Sequence, residues 1–431
     1  MSILKNKISI LVLFVFIGVS LMAQSTSPYS RFGLGYLRSQ TFSSNKALGE
    51  ISGGYRSGVG LNIVNPASYS ELAFTTLEMG ANVDISDLKT KDSTYRGAFG
   101  TINHIAFGMP LKRDRWGLSF GLLPFATTNY NFINQATDTF SSYKGKGSLY
   151  KVYVGTGYRI GGFSLGVNFG YLFGGQDYSK GYQFPDSLNM LNVRSTTNMR
   201  VSGFLYDLGL QYKIRLVKRS EANRFKSDVN FVIGAFGNSG LKVNARNSGV
   251  TQRYFVRDGF DIVVDTTSLK TEVKDKVSLP YTVGGGFTVG NELWWIIGAD
   301  FKYSGWSGFS SPLNNDALAD SWRFSFGFGI TPDYTGKFIK RIQYKTGFYT
   351  AKSEVLAGGS SLRETGGTFG LVFPFIFGRD RINSNDYLQI NLMADVGTRQ
   401  PVEKALIRET YYRLTFGLTL NGLWFKKRKF D

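Results

Sequence analysis

The chain has 431 residues, with 50 Lys and Arg against 31 Asp and Glu, 52 Gly, no Cys and one His. Without cysteine there is no disulfide framework, cysteine zinc site, thiol nucleophile or lipoprotein anchor, and a lone histidine, His104, cannot build a multi-histidine metal cluster. Aromatic residues reach 15% while charged residues stand at 19%, a departure from soluble globular composition toward a sheet with an apolar exterior.

Residues 1–23 read as a signal peptide. Lys5 and Lys7 precede an apolar run from Ile8 to Ala23, too short for a stable transmembrane helix and suited to the apolar core of a secretory signal. Export through the inner membrane with cleavage after Ala23 is therefore expected. No later run approaches the length of a membrane-spanning helix.

Residues 24–72 lack strand-like alternation and are rich in glycine, yet they carry Tyr29, Phe32, Leu34, Tyr36, Leu37, Phe42, Leu48, Ile51, Leu61, Ile63 and Val64. A disordered tail would not hold so many apolar side chains. This stretch is expected to be a plug packed inside a barrel formed by residues 73–431, with a periplasmic docking arm as the alternative.

From residue 73 the pattern has period two, as in strands with unlike faces. Trp322, Phe324, Phe326, Phe328 and Ile330 alternate with Arg323, Ser325, Gly327, Gly329 and Thr331, and Phe163 to Phe173 repeats the pattern. Fourteen strands are expected: 73–88, 97–111, 114–131, 147–160, 162–175, 200–216, 228–240, 276–290, 292–305, 320–332, 340–352, 365–377, 386–398 and 409–425. Connections after even-numbered strands are mostly short; those after odd-numbered strands are mostly longer, up to the stretch 241–275. Short turns alternating with long loops distinguish an outer-membrane barrel from a soluble sandwich. The fold class is thus all-β, a 14-stranded antiparallel transmembrane β-barrel with an N-terminal plug in its lumen, located in the cell outer membrane.

Basic residues gather in the short turns and the tail: Lys112, Arg113 and Arg115; Lys218, Arg219, Arg224 and Lys226; Lys337, Lys340 and Arg341; Lys426, Lys427, Arg428 and Lys429. Since the aromatics belong to the apolar face and these charges to its edge, the pattern fits a rim against anionic outer-membrane lipids, and no nucleic-acid partner is expected. Fourteen strands enclose a sizeable lumen. Inward charges such as Lys151, Lys302, Arg323, Lys345 and Arg413 face Glu78, Asp84, Asp207, Asp300 and Asp395, for which cross-strand pairing is the simplest account.

No catalytic residue is assigned. His104 has no nucleophile elbow or acid pair around it, GTGYRIG at 155–161 only crosses a turn, and Asn314, Asn315, Asp316 and Asp320 lack calcium-loop spacing. Neither metal nor cofactor is expected.

ALGEISGGYRSGVGLNIVNPASYSEL, closing on Asn65, Pro66 and Ala67, resembles the hatch segment of the FadL/TodX family of outer-membrane transporters for long-chain fatty acids and hydrocarbons. A second match is GLSFGLLPFATTNY, where Gly121, Pro124 and Phe125 stand as in the family's third strand. The resemblance covers residues 45–130 and implies passive uptake of a hydrophobic small molecule, without enzymatic activity, through a plugged barrel. Arg31, Phe32, Leu34, Tyr36, Leu48, Ile51, Arg56, Leu61 and Ile63 would bind the ligand, with Arg31 and Arg56 meeting a carboxylate if the cargo has one.

Gly121, Pro124 and Phe125 would form a lateral opening, because a proline inside a strand cannot donate a ladder hydrogen bond; a harmless bulge remains the alternative there and at Pro374. Sideways release suits a greasy cargo, since a sixteen-carbon chain entering water would lose roughly 12 kcal/mol. A monomer is expected. The competing role is a FadL-like barrel serving as an assembly or carrier subunit of a secretion complex, with residues 241–275 contacting a protein partner or lying over the lumen as a lid.

Overall fold

The computed structural model describes residues 27–90, 93–136, 139–184, 190–217, 228–313, 316–334, 336–377, 386–401 and 407–422. The signal segment 1–23 and the basic groups at 218–226 and 426–429 lie outside the described residues.

In chain order the strands are β1 (Tyr36–Leu37), β2 (Thr75–Lys89), β3 (Thr94–Lys112), β4 (Trp116–Ala136), β5 (Thr139–Ile160), β6 (Phe163–Gln183), β7 (Asn192–Val217), β8 (Val229–Asn238), β9 (Lys242–Arg257), β10 (Phe260–Ser278), β11 (Thr282–Asn291), β12 (Trp295–Ser304), β13 (Ser321–Ile330), β14 (Gln343–Ala357), β15 (Ser360–Phe377), β16 (Asp386–Pro401) and β17 (Arg408–Gly422). All neighbours pair antiparallel, and β17 closes on β2 from Gly422↔Thr75 to Arg408↔Lys89. Along β7, β8 gives way to β9, while β11 and β10 return beside them in one register. Each pair is one wall strand with a short break, so β2–β17 make a closed barrel of fourteen strands.

The alternation explains closure. Phe120, Val152, Val154, Leu165, Phe169 and Leu210 are exposed on the outer face, as side chains meeting lipid must be, while strand-to-strand pairing satisfies the wall backbone around the barrel except where β3 and β4 part. The first and last wall strands begin and end together, on the side of the turns 113–115 and 161–162. By the rule that such turns face the periplasm, the opposite end is external.

The stretch 241–275, read from sequence as a loop, is instead a hairpin. β9 and β10 rise beyond the barrel on the external side, pairing from Lys242↔Ser278 to Arg257↔Phe260 with three register shifts. Exposed to solvent on both faces, β10 shows little of the apolar and polar alternation that marks a membrane strand. β5, β6 and β7 also extend further outward than the sequence pattern indicates.

Residues 27–74 lie inside. Leu48, Ile51, Tyr55, Leu61, Ala67, Tyr69 and Leu72 are almost wholly buried. The segment packs on wall glycines: a Cβ at Gly166 would overlap Pro66 and Ala67, one at Gly347 would overlap Gly49, and one at Gly234 would overlap Gly53. Glycine on these strands lets the segment approach the wall backbone to backbone.

Candidate functional site

The segment enters at the external end and descends. Gly33 and Gly35 take positive φ of 58° and 91°, and Gly35 lies so close to Thr127 and Thr128 that a side chain would overlap β4. That approach lets Tyr36–Leu37 pair with Thr127 and Ala126 as β1. Arg38 N then donates to Phe125 O at 2.9 Å, and Gln40 Nε2 donates to Pro124 O at 3.1 Å.

These contacts are possible because the wall splits there. β3 pairs with β4 only from Ile105↔Leu122 to Lys112↔Trp116. Above this the Thr94–His104 part of β3 pairs with β2 alone, while β4 continues along β5 with a register shift between Pro124 and Ala126. The freed edge of β4 is taken by β1. Gly121 lies in the last paired stretch, where a Cβ would crowd Ile105 and Ala106; Pro124 is at the bulge; Phe125 turns inward to pack beside Leu34 and its neighbours. By contrast, Pro374 sits in unbroken register with Gln389, past the end of β14, whose last partner is Val372. Its missing N–H disrupts nothing.

A cavity of about 340 Å³ abuts the split. Leu37, Ile63, Val64, Phe125, Leu205 and Phe236 form an apolar side, and Arg38, Glu50, Lys302, Arg323, Glu364, Arg399 and Arg413 a charged side. Most of these charges are paired. Arg38 and Arg413 share Asp84; Arg413 also reaches Asp395 at 2.9 Å, Arg399 reaches Glu364 at 2.9 Å and Glu409 at 3.2 Å, and Arg323 lies 3.4 Å from Glu50. Lys302 borders the same cavity and has no ion-pair partner among the described residues. The site therefore combines an apolar surface with a charged one of both signs, on which Asp207, Asp300 and Glu354 also lie.

The residues singled out in the sequence are distributed unevenly around this cavity. Tyr36 and Ile63 line it, and the Tyr36 phenol oxygen accepts from Arg413 Nη2 at 2.8 Å. Leu34 belongs to the cluster against β4–β7, Leu61 packs with Phe42 and Tyr153, and Leu48 and Ile51 pack with Tyr55 and Ile296. Arg31 is at the external end, with its guanidinium over the rings of Phe32 and Tyr143. Arg56 is buried at the other end, donating to Ser70 at 2.5 Å and Ser164 at 2.8 Å and lying 3.6 Å from Glu71. Near it Lys213 holds Glu71 at 2.6 Å, and these cations keep that carboxyl below the usual range despite its burial.

Asn65, Pro66 and Ala67 have a structural explanation. Asn65 caps the 3-10 turn Pro66–Glu71, its side chain accepting from Ala67 N and donating to Gly53 O at 2.9 Å, Leu210 O at 3.2 Å and Ala235 O at 3.3 Å. Proline suits the first turn, where no N–H is needed, and Ala67 is small enough to lie on Gly166. His104 stacks on Phe42 with centroids 4.1 Å apart and is fully buried. The charged cluster of Arg38, Glu364 and Arg399 was not legible as a site, because Glu364 and Arg399 fall one residue outside strands drawn by apolar alternation; only their parity with Asp395 could have placed them inward.

A model of the BamG family matches residues 4–431. Among curated proteins nothing matches the sequence. Solved structures share the fold: the Ralstonia pickettii toluene transporter TbuX, at 13% identity and TM-score 0.53 over 88% of this chain and 98% of that one; a Pseudomonas aeruginosa FadL homologue, at 10% and 0.58 over 90% and 99%; and the Pseudomonas putida toluene transporter TodX, at 14% and 0.56 over 90% and 99%.

Proposed function

The chain belongs to the BamG family, and from its FadL/TodX-like barrel we propose that it acts in the outer membrane as a passive uptake protein for hydrophobic molecules, long-chain fatty acids or similar, released sideways into the bilayer. The observation that carries this reading is the split between β3 and β4 above Leu122, with β1 on the freed edge and the cavity immediately inside. Phe125 borders both the cavity and the split, where β1, Arg38 and Gln40 hold the edge of β4. The charged side of the cavity, with Lys302 facing it, suits a cargo with an acidic head and an apolar tail. Transfer through the wall spares the tail an aqueous passage.

The test is uptake of a labelled long-chain fatty acid by cells carrying a variant in which residues 121–125 are replaced by a regular alternating strand. Uptake should be lost while the barrel remains folded, as judged by its heat-dependent gel mobility. Uptake at the wild-type rate would refute the lateral route.

One feature favours the second reading, an assembly or carrier subunit of a secretion complex. β10 hydrogen bonds to β9 along one edge; among the described residues its other edge is bridged to Ser310 at Ser278 and pairs with no strand over residues 260–277, a geometry that accepts an added strand from another protein. Purification as a monomer bearing a lipid-like ligand supports uptake; recovery within a multiprotein complex with an empty lumen supports assembly.

A further inference from the structure

On the external half of the wall, Arg200 of β7 is directly opposite Arg246 of β9, which is directly opposite Lys274 of β10. Directly opposed residues share a face, so three cations stand side by side on consecutive strands, each exposed. Like charges at such positions repel. On its other side Arg200 stands opposite Gly175 of β6, whose missing side chain leaves room beside it.

No carboxylate forms an ion pair with these three among the described residues. Asp177 is engaged by Asn198 at 2.5 Å and Lys146 at 3.9 Å, and Glu272, on the irregular part of β10, reaches none of them. Further out on the same strands the arginines are neutralised: Arg194 pairs with Asp261 at 2.8 Å, and Arg253 pairs with Asp265. The unneutralised row is thus confined to one height.

That height is set by the membrane. Arg200 has the same parity on β7 as Phe204, which is 79% exposed and meets Tyr171 edge to face at 5.1 Å. Aromatics at the end of the apolar band mark the membrane interface. Phe204 and Arg200 are four positions apart, about 13 Å along the strand, or about 10 Å along the membrane normal for a strand tilted near 40°. The row therefore faces outward at the level of the outer-leaflet headgroups. Behind it Val201, Val243 and Ala245 are buried in the cluster that includes Leu34, so the platform is rigid, and among the described residues no strand pairs with Lys274 on the side away from β9.

We infer that Arg200, Arg246 and Lys274 form a binding site for the phosphate groups of an outer-leaflet lipid headgroup. Two guanidinium forks and an ammonium supply the planar, charge-assisted donors that phosphate oxygens accept, and the phosphate relieves the repulsion along the row. This site lies outside the barrel and is independent of the uptake route.

The experiment is native mass spectrometry of the full-length chain, released from detergent, titrated with bisphosphorylated lipid A, with the same lipid stripped of its phosphates, and with inorganic phosphate. The phosphorylated lipid should bind one to one, and the dephosphorylated lipid and inorganic phosphate each at least about tenfold more weakly. The triple variant R200Q/R246Q/K274Q should lose about tenfold or more in affinity for the phosphorylated lipid, whereas K337Q/K340Q at the opposite rim should retain wild-type affinity. Should the triple variant not fold, Arg246→Gln alone serves, with a smaller loss in the same direction. Equal binding of the two lipids, inorganic phosphate matching the lipid, undiminished binding by the folded row variant, or an equal loss in the rim variant would each overturn the assignment.

Discussion

Arg38 of the inner segment and Asp84 of β2 form a buried ion pair inside the barrel. The second oxygen of the same carboxylate takes Nε of Arg413 at 2.7 Å, so one aspartate joins the segment to two parts of the wall. Removing the carboxylate leaves two guanidiniums facing each other; removing Arg38 leaves Asp84 with Arg413. Asp84→Asn should therefore cost about 3 kcal/mol and Arg38→Met only about 1 to 2 kcal/mol. Thermal unfolding in detergent gives the order, and hydrogen exchange over residues 36–40 should rise in both. The reverse order would show that the carboxylate is not the joining element.

Lys46 gives the packed segment a pH dependence. It ends the one-turn helix Ser43–Lys46 and is almost wholly buried. Burial, aided by the nearby Arg413, lowers its pKa from 10.5 to about 8. Between those values the unfolded chain keeps a proton that the packed segment has released, so stability rises with pH across the window and is lowest below it. Tyr29, raised by burial to about 12, acts oppositely above about pH 10. The melting temperature should accordingly climb from pH 8 to pH 10. Lys46→Met should stabilise the protein by roughly 3 kcal/mol at pH 7 and remove the climb. A wild-type melting profile that is level between pH 8 and 10 would contradict this.

The membrane-embedded wall was legible because lipid on one side and lumen on the other force period-two alternation, as in Trp322 to Ile330 of β13. Strand ends were less legible. Outside the band both faces of β10 meet water, and Thr266, Thr267 and Ser268 carry no alternation to read. The ligand-facing set was harder still, since composition separates apolar from polar but not packed from open: Leu48 and Tyr36 look alike as inner-segment residues, yet one fills a cluster and the other borders the cavity. Pro124 and Pro374 make the same point. Both interrupt strands in sequence, and only the pairing of their neighbours reveals which one breaks a ladder.

Wall glycines should hold the inner segment more than side-chain contacts do. At Gly166 an added methyl would overlap Pro66 and Ala67, whereas at Gly367 the nearest atom is Gly347 O at 3.6 Å. Gly166→Ala should cost about 1 to 3 kcal/mol and expose residues 60–70 to protease in a barrel that still forms. Gly367→Ala should stay within about 0.5 kcal/mol of wild type. Limited proteolysis followed by mass mapping distinguishes the two; equal protection would mean that the segment adjusts without leaving its seat.

If cargo leaves where the wall splits, β1 must release the edge of β4, and that movement can be locked. Leu37 and Ala126 are directly opposed, a spacing of about 4.5 to 5.5 Å between Cα atoms that a disulfide spans. The chain has no cysteine of its own, so L37C/A126C introduces one bond, in a compartment that favours its formation. The oxidised variant should be folded and take up fatty acid at least about tenfold more slowly than wild type, with reductant restoring the rate; each single cysteine variant should transport normally. Uptake by the oxidised form at the wild-type rate would mean that β1 stays in place during transport and that cargo passes elsewhere along the cavity, past Leu205 and Phe236 rather than Phe125.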